Sequence, residues 1–570
     1  MTPIRRESRL PPDDDCHPAE RRRYMPAMMT APMRRLLPLL PLLASTAALA
    51  QGAPPLPADQ AAMRAHVAYL ASDAMRGREA GTPEYDRAAA YVAAQMQAAG
   101  LKPAGDDGSF LQRVPLVSSS AVREGRMRVA GVPLAFGTDY LTAPSFLDAD
   151  FRRAGEVVFV GQGVVDAANG IDDYAGLDVR GKIVAYMYGA PARLPSEVRA
   201  HLSSGDTKRR AAEARGAIGV LQIENREQQG RYPFSYLRGN FRSSRMTWVE
   251  QDGRPHVSAP GAPALGMLSA AGAARVFAKS RIDWAAAVRA DAAGKPLPRG
   301  ATGVRVEVEQ RSAIRRIESS NVVGVLEGSD PALRGEYVAL SAHLDHIGIS
   351  TDPALPANAD RINNGAMDNA AGTAAMIEAA KLFAADARRP RRSLLFVAVT
   401  AEEKGLIGSD YFASNPTVPK GAIVADVNLD MPILTYRFQD LVAIGAEHST
   451  VAQAVARAAA ANGLKLSPDP APAEAVFVRS DHYSFVRAGV PSVSLDLGPA
   501  GPGEAATAEF LAKRYHKPSD DLSQPFDWEA GRRFVKVNHD IAADLANADA
   551  RPRWNRGDYF GLLYNGFGAR

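Results

Sequence analysis

Three side chains that can bind a metal ion lie within four positions of one another in the stretch ALSAHLDHIGIS. His343, Asp345 and His346 come shortly after the apolar run YVAL, which is typical of a buried β-strand. Imidazole nitrogens and carboxylate oxygens are ligands of zinc and similar divalent ions. The stretch alone does not separate the residues that would bind a metal from those that would only pack beside it.

Acidic residues and one further histidine follow other apolar runs in the second half of the chain. They are Asp368, Glu402, Glu403, Asp430 and His516. A single acidic residue at the end of a strand is usually a helix cap or a solvated loop residue, so none of them is diagnostic by itself. Their joint occurrence within one predicted domain indicates a metal centre. Two histidines with three carboxylates suit zinc, or less specifically cobalt or manganese.

The segments around these residues predict an α/β domain over residues 301–550. Apolar segments such as YVALSAH, RRSLLFVAVTAEE, IVADVNLDM and VPSVSLDL alternate with helical segments such as AAGTAAMIEAAKLFAAD. This alternation is typical of a mostly parallel, doubly wound sheet with helices on both faces. VRVEVEQ and SSNVVGVLEG predict two further strands. Functional residues of such sheets gather at the carboxyl ends of the strands, where these candidates occur.

The remaining parts of the chain predict additional units. Residues 51–151 begin with two amphipathic helices, between 57 and 101, and continue as short strands of the same domain. Residues 152–300 predict a β-rich inserted domain, with Val-rich strands such as GEVVFVGQGV and a terminal linker, AAGKPLPRGATG. Residues 551–570 are expected to form a C-terminal tail.

Several motifs, taken in their order, resemble those of the secreted di-zinc aminopeptidases (peptidase family twenty-eight). The family also includes glutamate carboxypeptidase and the glutaminyl cyclases. The motifs are HLDH, GAMDNAAGTAAMIEAA, TAEEKGLIGS, NLDMPI, SDHYSF and YHKPSD. LASDAMRGREAGTPEYDRAAAYVAAQMQAAGLKPAG resembles the N-terminal opening of the family. VVFVGQGV, DDYAGLDVRGKIVAYMYG and AAEARGAIGVL resemble its protease-associated insert. The resemblance covers nearly all of the chain after residue 50, and it implies a zinc-exopeptidase fold.

The resemblance implies two zinc ions per chain. The ligands would be His343, Asp368, Glu403, Asp430 and His516. Asp368 would bridge both ions, His343 and Asp430 would complete one site, and Glu403 and His516 would complete the other. In the family the peptide bond after the bridging aspartate is often cis, so the bond after Asp368 is a candidate. Two metals of total charge +4 facing three carboxylates would acidify a bridging water and polarise the scissile carbonyl.

The resemblance also implies catalytic roles for residues that do not bind metal. Glu402 would be the general base. It would take a proton from the attacking water and give it to the leaving amine. Tyr515 would donate a hydrogen bond to the tetrahedral intermediate. Asp481 and His482, in the motif SDHYSF, are candidates for contact with the substrate.

The resemblance and strand geometry together assign the three residues of the opening stretch. The carboxylate of Asp345 would accept the second ring N–H of His343 and so orient the ligand imidazole. Alternation along a strand places His343 and Asp345 on one side and His346 on the other. We therefore expect His346 to lie away from the metals.

The first 50 residues predict a leader rather than part of the fold. Arg34 and Arg35 precede an apolar run, and Ala48-Leu49-Ala50 forms a small-residue cleavage site, as in a signal peptide. The expected mature chain begins at Gln51, which N-terminal sequencing would test, and is periplasmic or secreted without a membrane anchor. The mature chain lacks Cys16, the single cysteine. Its net charge is close to zero, and this argues against nucleic-acid binding.

The leading functional hypothesis is an exported zinc aminopeptidase acting on peptides, because an acidic rim around Glu402 favours a cationic substrate N-terminus. A carboxypeptidase or dipeptidase of the same family is the nearest alternative, and it would need a cationic pocket for a terminal carboxylate. Arg238, Arg242 and Arg479 could contribute to one, but the sequence does not place them. A catalytically inactive binding protein is disfavoured, because every ligand position is filled. Side-chain specificity and oligomeric state do not follow from the sequence.

Overall fold

The computed structural model describes residues 55–239, 241, 243–352 and 355–570, so the expected leader lies outside the described residues. The helices are α1 Ala58–Leu70, α2 Pro83–Ala98, α3 Ser196–Ser203, α4 Gly205–Glu213, α5 Arg226–Arg231, α6 Phe234–Gly239, α7 Ala270–Phe277, α8 Trp284–Ala292, α9 Gly372–Ala385, α10 Ile407–Ser414, α11 Val451–Ala461, α12 His482–Arg487, α13 Gly503–Lys513, α14 Trp528–Asn547 and α15 Tyr559–Leu563. The strands are β1 Lys102–Pro103, β2 Leu111–Ala121, β3 Arg126–Val129, β4 Val132–Pro133, β5 Tyr140–Thr142, β6 Asp150–Phe159, β7 Val165–Asp166, β8 Ile171–Asp172, β9 Ile183–Met187, β10 Gly219–Ile223, β11 Arg245–Trp248, β12 Ala264–Leu268, β13 Gly300–Leu326, β14 Tyr337–His343, β15 Ser393–Val399, β16 Ile423–Asn428, β17 Asp440–Ile444, β18 Lys465–Leu466 and β19 Ser492–Leu497.

The first sheet is built around four parallel strands, in the order β15, β14, β16 and β19. Antiparallel strands flank this centre, with β13 and β2 beyond β15, and β17 beside β19. The central strands are almost entirely buried, as expected for a sheet that is covered on both faces. This architecture confirms the predicted α/β class with a mostly parallel sheet.

Helices cover both faces of the first sheet because the side chains of its strands alternate between them. In β14, Val338 and Leu340 pack in the core that includes α9 and α14. Ala339, between them in sequence, packs on the other face with Phe412 of α10 and Phe485 of α12. The arrangement follows from the period-2 geometry of a strand. It leaves the carboxyl ends of β14, β15 and β16 on one edge of the sheet.

A second sheet contains the parallel strands β6, β9, β10 and β12, with antiparallel β5 next to β12. One face packs on α7 and α8, and the other face packs on α4. The sheet also includes β3 and the first part of β13, which lie outside residues 152–300. That this region is a protease-associated insert stays a prediction.

Strand β13 belongs to both sheets and differs from the expectation of two separate strands. Its residues 300–311 pair with β6 in the second sheet. Residues 312–322 pair with β2, and residues 322–326 pair with β15 in the first sheet. The segment between the two predicted strands stays extended because β2 hydrogen-bonds along all of it.

The N-terminal helices α1 and α2 pack in the core of the first sheet, as predicted for residues 57–101. Pro83 begins α2, and the side chain of Thr82 caps it by accepting a hydrogen bond from the Tyr85 backbone N–H. Across the described ranges, no helix combines the length and apolar character needed to cross a membrane.

Candidate metal centre

The candidate ligands converge at the carboxyl edge of the first sheet. His343 is the last residue of β14, while Glu403 follows the end of β15 and Asp430 follows the end of β16. Asp368 lies in the turn that leads into α9, and His516 lies beyond α13. Parallel strands place their carboxyl ends together, which is why residues far apart in sequence meet here.

The first group of donor atoms contains His343, Asp368 and Asp430. The Nε2 atom of His343 lies 2.9 Å from Oδ1 of Asp430 and 3.2 Å from Oδ1 of Asp368. The second carboxylate oxygen of Asp430 accepts a hydrogen bond from the Ser480 hydroxyl at 2.6 Å. This contact fixes the orientation of the Asp430 carboxylate.

The second group contains His516, Glu403 and the other oxygen of Asp368. The Nε2 atom of His516 lies 3.3 Å from Oδ2 of Asp368 and 3.2 Å from Oε2 of Glu403. The two oxygens of Asp368 therefore face two different imidazoles. All five expected ligands come together in the structure, and their role as ligands stays a prediction.

The electrostatics of the two groups suit cations. Burial alone would lower the pKa of His516, but Glu403 and Asp368 raise that pKa to about 11. Burial likewise opposes charge on His343, but Asp430 and Glu402 raise its pKa well above the ordinary value. The carboxylates thus stabilise positive charge at both imidazoles. Divalent metal ions, which displace protons from such ligands, fit this donor set.

The peptide bond between Asp368 and Asn369 is cis, as the resemblance implied. The side chain of Asn369 holds the surrounding backbone in place. Its amide nitrogen donates to the carbonyl oxygen of Leu429 at 2.9 Å, and its amide oxygen accepts from the backbone N–H groups of Gly372 and Met431. Asn369 therefore connects the turn carrying Asp368 to the loop carrying Asp430.

The side chain of Asp345 does not orient His343, in contrast to the expectation. The Nδ1 atom of His343 lies 3.1 Å from the backbone carbonyl oxygen of Asp345. The Asp345 carboxylate instead accepts hydrogen bonds from the backbone N–H groups of Glu402 (3.0 Å) and Glu403 (3.3 Å). Burial raises the pKa of Asp345 to about 6. Asp345 thus positions the two glutamates rather than the histidine.

His346 lies inside the cluster, so the expectation that it points away is wrong. Its Nδ1 atom lies 2.6 Å from Oε1 of Glu403, and the ring is fully buried. Strand alternation does not apply, because β14 ends at His343 and His346 lies three residues beyond it. His346, Asp368 and Glu403 also form a group that could hold a metal ion.

Glu402 and Tyr515 border the cluster. Burial, followed by the nearby charges of Glu403 and Asp481, raises the pKa of Glu402 well above its ordinary value. The ring of Tyr515 stacks on His516, with 3.8 Å between ring centroids. Burial, with Asp368 and Glu403 nearby, raises the pKa of Tyr515, so its phenol stays protonated.

The two residues expected to contact the substrate are buried, which corrects that expectation. Asp481 and His482 are both without exposed surface. Burial raises the pKa of Asp481 to about 7, and it lowers the pKa of His482 to about 3. His482 packs edge-on against Phe477, at 5.5 Å between ring centroids. Neither side chain is therefore exposed for contact with a substrate.

Two residues that hold Asp368 were not recognised in the sequence. The carboxylate of Asp520 accepts hydrogen bonds from the backbone N–H groups of Met367 (3.0 Å) and Asp368 (3.1 Å). Arg78, fully buried, donates to backbone carbonyl groups on three segments. These carbonyls belong to Leu70, Leu344, Asn364, Gly365 and Asp368. Asp520 is part of the motif YHKPSD and Arg78 is part of GREAG. Both residues therefore lie in segments that resemble those of the family, which was the signal that could have identified them.

Gly77, which directly precedes Arg78 in this motif, occupies a position that requires glycine. Its φ is +71°, in the left-handed region that favours glycine. A Cβ atom at this position would lie only 2.6 Å from the carbonyl oxygens of Asn363 and Gly348. Because Gly77 has no side chain, its backbone can lie directly against the loops that contain Gly348 and Asn363.

Comparisons with known proteins identify the region that carries these residues. Residues 321–542, which include all five expected ligands, match the family model described as peptidase family M28. A probable zinc metalloprotease from Pyrenophora teres f. teres (strain 0-1) is 26% identical over 248 residues, which are 41% of this chain and 50% of that protein. The chain thus aligns with about half the length of this curated relative.

Solved structures show similarity over a larger part of the chain. An aminopeptidase from Aneurinibacillus sp. strain AM-1 has a TM-score of 0.49 and 19% identity, and the match covers 86% of this chain and 95% of that one. A zinc aminopeptidase from Bacillus subtilis has a TM-score of 0.42 and 19% identity, with coverage of 87% and 98%.

The hydrogen bonds of Arg78 should stabilise both the fold and the candidate metal centre. We expect Arg78→Lys to lower Tm and to weaken zinc retention, because an ammonium group cannot reach all the carbonyl groups that the guanidinium serves. Each buried carbonyl left unpaired costs about 1–3 kcal/mol. Thermal unfolding and zinc content after dialysis measure the two effects. The matched control is Arg76→Lys, an exposed arginine two positions earlier. Equal Tm and zinc content in the two variants would contradict the prediction.

Proposed function

We propose that the protein is a zinc-dependent exopeptidase, because residues 321–542 match the family model described as peptidase family M28. It binds two zinc ions per chain and removes N-terminal residues from peptides. The observation that carries the proposal is the position of Asp368, whose two oxygens face His343 and His516 separately. One carboxylate shared by two imidazole-carboxylate groups is the donor geometry that a two-metal hydrolase needs.

Each zinc ion would be held by two residues besides Asp368. His343 and Asp430 would hold one ion, and Glu403 and His516 the other. Zinc bound there supplies Lewis acidity, which polarises a carbonyl group and makes a bound water more acidic. The hydrogen bond that Ser480 donates orients the Asp430 carboxylate, and the hydrogen bonds that Asp520 accepts hold the backbone at Met367 and Asp368.

Glu402 is the proposed general base. Its backbone N–H is held by Asp345 at 3.0 Å, and its side chain belongs to neither donor group. The raised pKa of Glu402 matches a carboxylate that accepts a proton from the attacking water and returns it to the leaving amine. Tyr515, stacked on His516, keeps its proton and can donate a hydrogen bond from its hydroxyl group to the reacting carbonyl oxygen.

An aminopeptidase is favoured by the position of Glu402, whose carboxyl group lies beside the centre but belongs to neither donor group. Its carboxylate can attract the cationic N-terminus of a peptide. The arginines considered for the carboxypeptidase alternative have separate positions. Arg238 lies beside Gly137, Arg242 is outside the described residues, and Arg479 lies near Glu402. Among the described arginines of this set, Arg479 is the candidate for recognition of a substrate carboxylate.

We also propose that the protein is exported. The pattern of residues 1–50 supports a leader that is cleaved after Ala50, which would deliver the protein to the periplasm or the medium. Peptides are the expected substrates in either compartment.

Zinc content tests the shared carboxylate. We expect about two zinc ions in the native protein, about one in Asp430→Asn, and loss from both sites in Asp368→Asn. The matched control is Asp549→Asn, whose side chain is 96% exposed. Metal analysis after chelation and reloading gives the numbers. Full zinc retention by Asp368→Asn would argue against a bridge, and zinc loss in His346→Gln would make His346 a ligand.

Replacement of the base separates chemistry from metal binding. Glu402→Gln should retain zinc but lose about 10²–10⁴ of kcat, since an amide cannot accept the proton. Steady-state kinetics with zinc-loaded enzyme measure the change, and Glu504→Gln, exposed at the start of α13, is the control. Turnover equal to the native rate would remove Glu402 from the mechanism.

A substrate panel distinguishes the two exopeptidase classes. Leucine p-nitroanilide and free peptides should be cleaved by the zinc-loaded protein, whereas N-acetylated versions should be cleaved much more slowly, since the acetyl group removes the cationic amine. Product analysis by mass spectrometry identifies which end is shortened. Faster cleavage of N-blocked peptides, with release of the C-terminal residue, would favour the carboxypeptidase alternative.

A further inference from the structure

The imidazole of His346 lies within the candidate metal centre but is not among the five expected ligands. Its ring has no exposed surface. The Nδ1 atom lies 2.6 Å from Oε1 of Glu403, and neither atom has another hydrogen-bond partner among the described residues. A buried polar atom that is left unpaired costs about 1–3 kcal/mol. The contact with Glu403 is therefore the interaction that can compensate the burial of Nδ1.

Packing fixes the position of the His346 ring. A Cβ atom on Gly365 would lie 2.6 Å from both Cγ and Cδ2 of His346, so the ring lies directly against the backbone of this glycine. The ring of His516 approaches edge-on, with 5.8 Å between ring centroids. Because the ring is enclosed in this way, Nδ1 keeps its place beside the carboxylate of Glu403.

The distances distinguish a metal ligand from a residue that holds a ligand. Two ligands of one tetrahedral zinc ion lie about 3.3 Å apart, since each bond is about 2.0–2.1 Å long. The distance of 3.2 Å between Nε2 of His516 and Oε2 of Glu403 matches such a pair. The distance of 2.6 Å between Nδ1 of His346 and Oε1 of Glu403 is too short for it. It is close to the length of a charge-assisted hydrogen bond, about 2.7 Å.

We propose that His346 is a positioning residue, which donates its Nδ1–H to Oε1 of Glu403 and leaves Oε2 of Glu403 to bind zinc. The inference rests on the proposed two-zinc function. The two carboxylate oxygens then have separate tasks, because Oε1 is held by His346 and Oε2 faces His516. A carboxylate held at one oxygen offers a single oxygen to the ion, in a fixed direction.

The short segment after β14 thus holds Glu403 at two points. The carboxylate of Asp345 accepts a hydrogen bond from the backbone N–H of Glu403 at 3.3 Å. His346, the next residue in the sequence, contacts the side chain of the same glutamate. Removal of a partner that orients a metal ligand typically costs 10–100-fold in metal affinity. We therefore expect His346 to determine how tightly the site that contains Glu403 binds its ion.

Zinc affinity tests this inference on the full-length protein without use of the peptidase activity. The Asp430→Asn background isolates the site of Glu403 and His516, because this variant is expected to bind one ion. In that background His346→Leu, which removes the donor, should raise the zinc Kd about 10–100-fold. His346→Asn has nearly the same shape as the leucine variant but carries an amide N–H, so it should restore most of the affinity. Competition with a chelator of known affinity measures Kd.

Two further variants separate the hydrogen bond from general stability. His346→Ala removes the donor with little steric change and should match His346→Leu. His201→Phe removes another buried imidazole, which lies in α3 and contacts the Tyr483 hydroxyl at 2.6 Å. It should lower Tm but leave the zinc Kd unchanged, because this ring packs among Tyr559, Phe560 and Tyr564. Thermal unfolding of the metal-free variants shows that each is folded.

Cobalt spectra distinguish the proposed role from direct binding of the metal. In the same background at saturating Co²⁺, His346→Leu should keep the visible absorption spectrum of its parent, since the atoms bound to the ion are unchanged. A shifted or weakened spectrum would show that a ligand was lost and would overturn the positioning role. Equal zinc Kd values in the parent and His346→Leu, or equal losses in His346→Leu and His346→Asn, would overturn it as well.

Failure of the proposed function gives a different result. If the native protein binds neither zinc nor cobalt, the two-zinc function is wrong and the inference falls with it. If the native protein binds two ions and His346→Leu keeps the parent affinity, only the inference is wrong.

Discussion

The buried guanidinium of Arg78 is the interaction on which the arrangement of the centre depends. It has no exposed surface, and its hydrogen bonds reach carbonyl groups at the end of α1, in the loop after β14 and in the turn before α9. Burial lowers the pKa of Arg78, and Asp368, Asp520, Asp345 and Glu403 offset part of this shift, while a guanidinium keeps its proton in proteins. A permanent cation thus lies behind a cluster of carboxylates. It compensates part of their mutual repulsion and ties the N-terminal helices to the candidate metal centre.

Around this cation, the cluster is organised in layers of contacts. The expected ligands face one another, and the residues behind them hold backbone groups: Asp345 holds the two glutamates, Asn369 connects two loops, and Asp520 holds the turn with Asp368. Most of these contacts join segments from different strand ends. The geometry of the donor atoms is therefore determined by the sheet as a whole, and local changes in one loop are resisted by its neighbours.

The sequence predicted those features that depend on short residue patterns, such as strands and their ends. Segment YVALSAH corresponds residue for residue to β14, and strand ends predicted which acidic residues would meet. The position of His346 could not be predicted, because the direction of a side chain beyond the last strand residue depends on tertiary contacts. The same holds for the hydrogen bond of His343 to a backbone carbonyl instead of a carboxylate. Arg78 was missed because a charged residue in a Gly-rich turn is usually exposed, and its burial depends on loops almost 300 positions away.

The continuity of β13 has a thermodynamic consequence. A 27-residue strand that pairs with β6 at one end and with β15 at the other belongs to both hydrophobic cores. Loss of either sheet would expose one half of a strand whose other half remains paired, so partial unfolding carries an extra free-energy cost. The shared strand therefore couples the unfolding of one sheet to that of the other.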